Sequence, residues 1–159
     1  MEKTQSFLRE LGYPIEKPDG ADEALYGVVW IAAQAQRQVA KALKPFGLTP
    51  VKLNYLMIVK HIGREEGLSQ REIARRLLID AGNVTHVLDG LVKKGWVVRD
   101  AGPDRRSNRI KITVKGSHVL DEVWPAYKKV VGKLTGGFSA QEQHRLVESL
   151  SGWRKSLEG

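Results

Sequence analysis

The sequence predicts a mainly α-helical fold with one small β-hairpin, and three observations carry that prediction. From Asp22 onward, apolar residues recur at i, i+3, i+4 and i+7 along most of the chain. Between Trp96 and Val114 the period drops to two on either side of a turn-rich segment. Capping residues and Gly or Pro stops cut the helical pattern at short intervals, so the helices are separate elements.

The chain opens with Phe7, Leu8 and Leu11 at helical spacing, followed by Gly12-Tyr13-Pro14 and a linker through Pro18, Asp19 and Gly20. Two readings stand: a short appended helix that covers an apolar patch on a partner subunit, or a terminus that frays. Leu25, Val28, Val29, Ala32, Val39, Ala40 and Leu43 then define a long amphipathic helix from Asp22 to about Phe46, stopped by Pro45 and Gly47. Thr49-Pro50 is a second start signal, N-cap then N1, and it leads into Leu53, Leu56, Met57 and Ile62 with a stop at Gly63. Residues 63–67, Gly-Arg-Glu-Glu-Gly, form a loop.

Ser69 followed by Glu72 is a capping box, which satisfies two of the amide donors that a helix start leaves unpaired. Ile73, Ala74 and Leu77 make a narrow apolar stripe, with Arg71, Arg75 and Arg76 turned away from it. A turn at Leu78 and Ile79 reaches Asp80, an N-cap for a helix whose apolar positions are Val84, Val87, Leu88 and Leu91. On the opposite face lie Gly82, Asn83, His86, Asp89 and Gly90, with Thr85 at the edge. These are small or hydrogen-bonding residues, suited to a DNA major groove where base edges offer donors and acceptors. Gly90 costs about 1 kcal/mol relative to Ala in an exposed helix, which points to a close approach there. Taken alone, the two helices fit an unrelated bundle equally well.

The hairpin that follows shifts the balance. Lys93, Lys94 and Gly95 supply a cationic last turn and a C′ glycine. Trp96 to Arg99 and Arg109 to Val114 read as strands, the second with Ile110, Ile112 and Val114 on one face. The segment between them carries Gly102-Pro103 and Asp104-Arg105-Arg106. A helix-turn-helix followed at once by a basic hairpin is a winged helix, and an arginine at the hairpin tip suits a narrow, electronegative minor groove.

Thr113 caps a helix with Val119, Leu120, Val123, Trp124, Tyr127, Val130, Val131 and Leu134, in which Pro125 predicts a kink. After Gly136-Gly137, Ser139 and Glu142 form another capping box before Leu146, Val147, Leu150, Trp153 and Leu157. These stripes exceed what a winged helix needs for its own core. A symmetric homodimer buries them, unless they fold back to fill one chain's interior.

Three stretches make the sequence resemble the MarR family of bacterial transcription regulators: LSQREIARRL at 68–77, NVTHVLDGLVKKGWVVR at 83–99 and DRRSNRIKITVKG at 104–116. The resemblance covers the chain from about Ala24 to the end. Asp104-Arg105-Arg106 fits the family's Asp-x-Arg, which implies that Arg106 enters the minor groove while Asp104 orients it. Ile112-Thr113-x-x-Gly116 fits its strand-to-helix exit. His86 departs from the pattern, because arginine commonly follows the Val-Thr pair, and Gly90 stands where a longer polar residue is common.

The resemblance also implies dimerisation through the terminal helices. It further implies a cleft for small, often aromatic or phenolic acids between those helices and the DNA-binding lobe. By position Tyr26, Trp30, Gln34, Leu53 and Met57 line that cleft and Arg37 pairs with a carboxylate, although Trp30, Leu53 and Met57 at helical spacing fit a core as well. The expected organisation is an extension at 1–21, a dimerisation and effector-pocket helix at 22–47, a DNA-binding lobe at 48–114 and C-terminal dimerisation helices at 115–159.

Composition is consistent with this. The 159 residues carry 26 Lys and Arg against 18 Asp and Glu, a net charge of +8, which favours a polyanionic partner. The absence of cysteine removes thiol redox chemistry and disulfides. No signal peptide and no apolar run near the ~20 residues of a bilayer span is present, so a cytoplasmic protein without membrane contact is expected. There is no phosphate loop, nucleophile elbow or HExxH, and His61, His86, His118 and His144 are scattered, so neither an enzyme, a cofactor nor a metal is expected.

The expected function is a sequence-specific regulator of double-stranded DNA with a palindromic operator, a repressor released by a small anionic effector for which aromatic or phenolic acids are the candidates. Gly82, Asn83, Thr85, His86 and Gly90 are the expected base-facing residues, and Ser69, Arg71, Arg75, Arg105, Arg109 and Lys111 the phosphate contacts. A winged helix used for protein contact and a metal-responsive regulator are the alternatives.

Overall fold

The computed structural model describes residues 6–13, 19–79, 81–101 and 108–158; Asp80 and the hairpin tip with Asp104, Arg105 and Arg106 lie outside them. Among the described residues the helices are α1 (Phe7–Glu10), α2 (Gly20–Leu43), α3 (Pro50–Ile58), α4 (Gln70–Leu77), α5 (Ala81–Lys93), α6 (Val114–Thr135) and α7 (Ala140–Glu158). Strands β1 (Val97–Ala101) and β2 (Asn108–Ile112) pair antiparallel between α5 and α6, from Val97 opposite Ile112 to Ala101 opposite Asn108. The mainly helical fold with one hairpin is therefore as the sequence predicts.

Helix α2 begins earlier than its apolar pattern suggests, because Asp19 and Asp22 form a capping box in which Asp19 accepts from the amides of Ala21 and Asp22. It ends at Leu43 rather than Phe46, and a 3-10 turn over Lys44–Phe46 runs to Gly47, whose φ of 65° is left-handed. Helix α3 starts as expected, with the Thr49 hydroxyl accepting from the Lys52 amide and Pro50 at the first position. Its α geometry stops at Ile58. The expected last turn is instead a π-helical turn over Val59–Gly63.

The loop before α4 is not free-standing. Leu68 exchanges both backbone hydrogen bonds with Ile110, at 3.0 and 2.7 Å, and so adds a one-residue bridge to the hairpin. Gly67 makes this possible: its φ is 72°, and a Cβ there would lie 2.8 Å from the Ile110 carbonyl oxygen.

The hairpin passes directly into α6. The Thr113 hydroxyl donates to the Gly95 carbonyl at 2.7 Å and accepts from the Gly116 amide at 2.9 Å, while the Thr113 amide donates to the Trp96 carbonyl. Val114, expected on the strand, is the first residue of α6 because the Thr113 cap ends the extended run. The helix continues through Pro125 to Thr135 as one element.

One apolar core joins these parts. Leu43, Leu53, Leu56 and Val59 meet Ile73, Val84, Leu88 and Leu91 of the helix-turn-helix, Val97 and Ile110 of the hairpin, and Leu120 and Val123 of α6. Helix α1 packs on α2 of its own chain: Leu8 is fully buried, and the Ser6 hydroxyl and Leu8 amide both donate to the Glu23 carboxylate. Phe7 meets Trp30 edge-on at 5.7 Å between ring centroids, and Tyr13 lies 5.4 Å from Tyr26. By contrast, Leu25, Val28, Val29 and Ile31 of α2 are 41% to 60% exposed, and among the described side chains of α7 only Ser151 and Trp153 are even half-buried. Among the described residues no helix is long and apolar enough to cross a membrane.

Candidate nucleic-acid interface

The interface is built on the helix-turn-helix. Ser69 caps α4, with its hydroxyl accepting from the Glu72 amide at 3.2 Å and its own amide donating to the Glu72 carboxylate at 2.8 Å. That fixes the start of α4 and turns Arg71, Arg75 and Arg76 to solvent. The turn closes through Leu78 in the left-handed region at φ 53°, and the Ile79 amide then returns to the Ala74 carbonyl. The Thr85 hydroxyl donates to the Gln70 side-chain carbonyl at 3.1 Å, tying α5 to the first turn of α4.

Helix α5 has the two faces its sequence predicts. Val84, Leu88 and Leu91 are completely buried. Gly82, Asn83, Thr85 and His86 are exposed and Gly90 is half-buried. Outside its own helix, a Cβ added at Gly82 or Gly90 would meet nothing within 4 Å among the described residues, so no packing contact among them requires a glycine at either position. Asp89, on the same side, is bonded to Arg99 of β1 at 2.5 Å.

Two hairpin cations assigned to phosphate, Arg109 and Lys111, are engaged within the chain, while Arg105 lies outside the described residues. Arg109 Nη1 pairs with Glu72 Oε2 at 2.7 Å, and Lys111 Nζ pairs with Asp100 Oδ2 at 2.8 Å. Ser69 is likewise occupied as a cap. Hydrogen bonds from the Ser69 amide and hydroxyl, with the charges of Arg109 and Arg76 behind them, hold the Glu72 carboxyl below its usual 4.5. Arg71, Arg75 and Arg76 are exposed cations on α4, the helix that the Thr85–Gln70 bond ties to α5. At the far end of α5, Lys94 Nζ donates to the Gly47 carbonyl at 3.1 Å and sits 4.4 Å above the Trp96 ring.

The expected effector residues separate. Leu53 is 3% exposed in the core. Tyr26 and Trp30 face Tyr13 and Phe7 of the N-terminal segment, while Gln34 is half-buried and Arg37 exposed farther along α2. Met57 lines a cavity of about 390 Å³ whose other apolar walls are Leu120, Trp124 and Pro125 of α6. Lys60, His61 and Asp121 supply its polar side, and Lys60 Nζ pairs with Asp121 Oδ1 at 2.8 Å. That bond, with the charges of Lys60, His118 and His61, lowers the Asp121 carboxyl. A larger depression of about 770 Å³ along residues 61–66 is open and lined mainly by polar groups.

The pairs Glu72–Arg109 and Asp89–Arg99 and the Lys60–Asp121 cavity have no local sequence signal, because each joins positions on different elements. Among the described residues no three His, Asp or Glu side chains converge as a metal site.

Comparison with known proteins gives this geometry a family. A profile described as the MarR family matches residues 46–107, from the 3-10 turn after α2 into the hairpin. The chain is similar to the uncharacterized HTH-type transcriptional regulator YkoM of Bacillus subtilis (strain 168), 32% identical over 105 residues that span 65% of this chain and 66% of that protein. It is also similar to the HTH-type transcriptional regulator MhqR of the same strain, 30% identical over 111 residues, 69% of this chain and 74% of the other. In fold it is similar to a cysteine-to-serine mutant of E. coli MarR complexed with operator DNA, with a TM-score of 0.75 at 24% identity, covering 84% of this chain and 97% of that one. By its helix-turn-helix, its hairpin and these matches, the chain belongs to the MarR family of DNA-binding winged-helix transcriptional regulators.

Proposed function

We propose that the protein is a homodimeric repressor that reads a palindromic operator and is released by a small anionic effector. The observation that carries the reading is the polar, open face of α5 at Gly82, Asn83, Thr85 and His86, together with the exposed Arg71, Arg75 and Arg76 of α4. Asn83 and His86 can donate to and accept from base edges, and the arginines suit flanking phosphates. The minor-groove role of Arg106, oriented by Asp104, rests on the resemblance of their motif, with Arg105 beside them as a phosphate contact. The exposed apolar residues of α2 and α7 support a two-fold dimer, whose recognition helices then meet half-sites about 34 Å apart.

For the effector, the support is the Met57, Leu120, Trp124 and Pro125 cavity with Lys60 at its side. Its apolar walls and single ammonium suit an aromatic anion that replaces Asp121 as the partner of Lys60. A ligand of this kind lowers operator affinity only by its preference for a dimer with the wrong lobe spacing.

The test is binding to the DNA upstream of the protein's own coding region against random DNA, across a salt series. The expected result is a specific complex with a dimer footprint and a log-log slope of roughly six to ten phosphate contacts. Asn83→Ala or His86→Ala should change which sequences bind. An equal loss on every DNA would make these residues backbone contacts, and no binding at low salt would favour a protein-contact role. Aromatic acids added to the same assay should release the wild type and not Lys60→Met.

A further inference from the structure

We propose that Glu72 is a positioning residue for operator reading: acting through Arg109, it fixes the hairpin at a set angle to the recognition helix. The inference rests on the DNA-binding reading above and deepens it. One carboxylate oxygen, Glu72 Oε2, accepts from the Ser69 amide at 2.8 Å, the Ser69 hydroxyl at 2.8 Å and Arg109 Nη1 at 2.7 Å. A capping box needs only the first of these, and glutamine serves it as well as glutamate. The matching box at Ser139 and Glu142 makes the same bonds to its serine, and no arginine among the described residues joins it. The charge at Glu72 is therefore surplus to capping and is spent on β2.

The place of the bond gives it leverage. Arg109 is one residue nearer the hairpin tip than Ile110, where the backbone bridge to Leu68 anchors the strand. Directly opposite Ile110 in the register is Arg99, whose side chain bonds Asp89 on α5. At this level the hairpin is thus held to α4 by Glu72, to α5 by Asp89 and to the loop by backbone. A two-stranded ribbon has little stiffness of its own, so its direction is set by what grips its base. The backbone bridge fixes one point, and the two ion pairs fix rotation about it.

Simple charge predicts the opposite behaviour from positioning. A carboxylate among DNA-facing arginines repels phosphate, so neutralising it should tighten binding to every DNA if Glu72 acts only through the field. If it positions the hairpin, neutralising it should weaken binding to selected DNA while random DNA is bound equally or more tightly.

The experiment uses the full chain, with genomic fragments selected by the wild type as specific DNA and random DNA as reference, at fixed salt. Glu72→Gln is expected to lower the specific-to-random ratio about fivefold while the chain remains fully folded at the assay temperature. Arg109→Gln should do the same, the double variant should lose no more than either single one, and Glu142→Gln should leave the ratio unchanged. A second arm needs no DNA. The chain has no cysteine, so spin labels at Val98→Cys and Val51→Cys, both exposed, report the hairpin's distance from α3. The distribution should broaden on adding Glu72→Gln. An unchanged ratio, tighter binding to both DNAs, or an unbroadened distance would overturn the proposal. If the wild type selected no fragment while the distance broadened, the clamp would stand and the operator reading would fall.

Discussion

Gly116 leaves no room for a side chain, since a Cβ there would lie 2.1 Å from the Trp96 carbonyl oxygen and 3.0 Å from Ile112. The Thr113-x-x-Gly116 motif is thereby explained by contact: the hydroxyl ties the helix start to the Gly95 carbonyl, and the missing Cβ lets the first turn lie against Trp96. Gly116→Ala should destabilise the protein by about 3 kcal/mol, because the atom that must move is backbone and not a flexible side chain. Urea unfolding checks this; a loss below about 1 kcal/mol would mean that α6 can shift outward without disturbing the hairpin. Leu78 is the other residue whose backbone is set by its place, in the left-handed region at φ 53° and 90% exposed at the helix-turn-helix corner. Its sequence neighbours gave a turn there, but nothing in a leucine announces a left-handed conformation.

At the scale of elements, what the sequence made legible is what local chemistry encodes. The capping boxes at Ser69–Glu72 and Ser139–Glu142, the Thr49-Pro50 start and the glycine at Gly95 all fall where residue type demands them. Long-range contacts were not legible. The π turn after Ile58, the Leu68–Ile110 bridge and the Glu72–Arg109 pair each depend on which element arrives alongside. The surroundings of the expected effector residues depend on packing in the same way: helical spacing puts Leu53 and Met57 on one helix, and packing against α6 decides that the first is core and the second lines the cavity. The same hydrogen bonds predict a pH dependence. Glu72 is held below 4.5 in the folded chain, so it favours folding above the unfolded value, and that contribution disappears as pH falls below 4.5 through the folded one. Glu72→Gln should therefore flatten the loss of stability below that pH, measured by chemical unfolding at successive pH values. An unaltered slope would place the acid sensitivity in other carboxylates.

For the whole molecule, the uneven burial is the informative property. The core from Leu43 to Val123 is continuous through the DNA-binding lobe, whereas Leu146, Val147, Leu150 and Leu157 of α7 remain 40% to 78% exposed. Exposed apolar residues of this kind suit the two-fold contact proposed above. Paired substitutions Val147→Asp and Leu150→Asp should give a monomer by sedimentation and abolish the dimer footprint, with the melting of the lobe little changed. A dimer that survives both charges would move the interface elsewhere. The Lys94 ammonium bolts the carbonyl just past α2 to the tail of the recognition helix and rests on Trp96 at the hairpin's foot. In the dimer proposed above, a shift of α2 would therefore carry the tail of α5 with it, as a crank turns its arm.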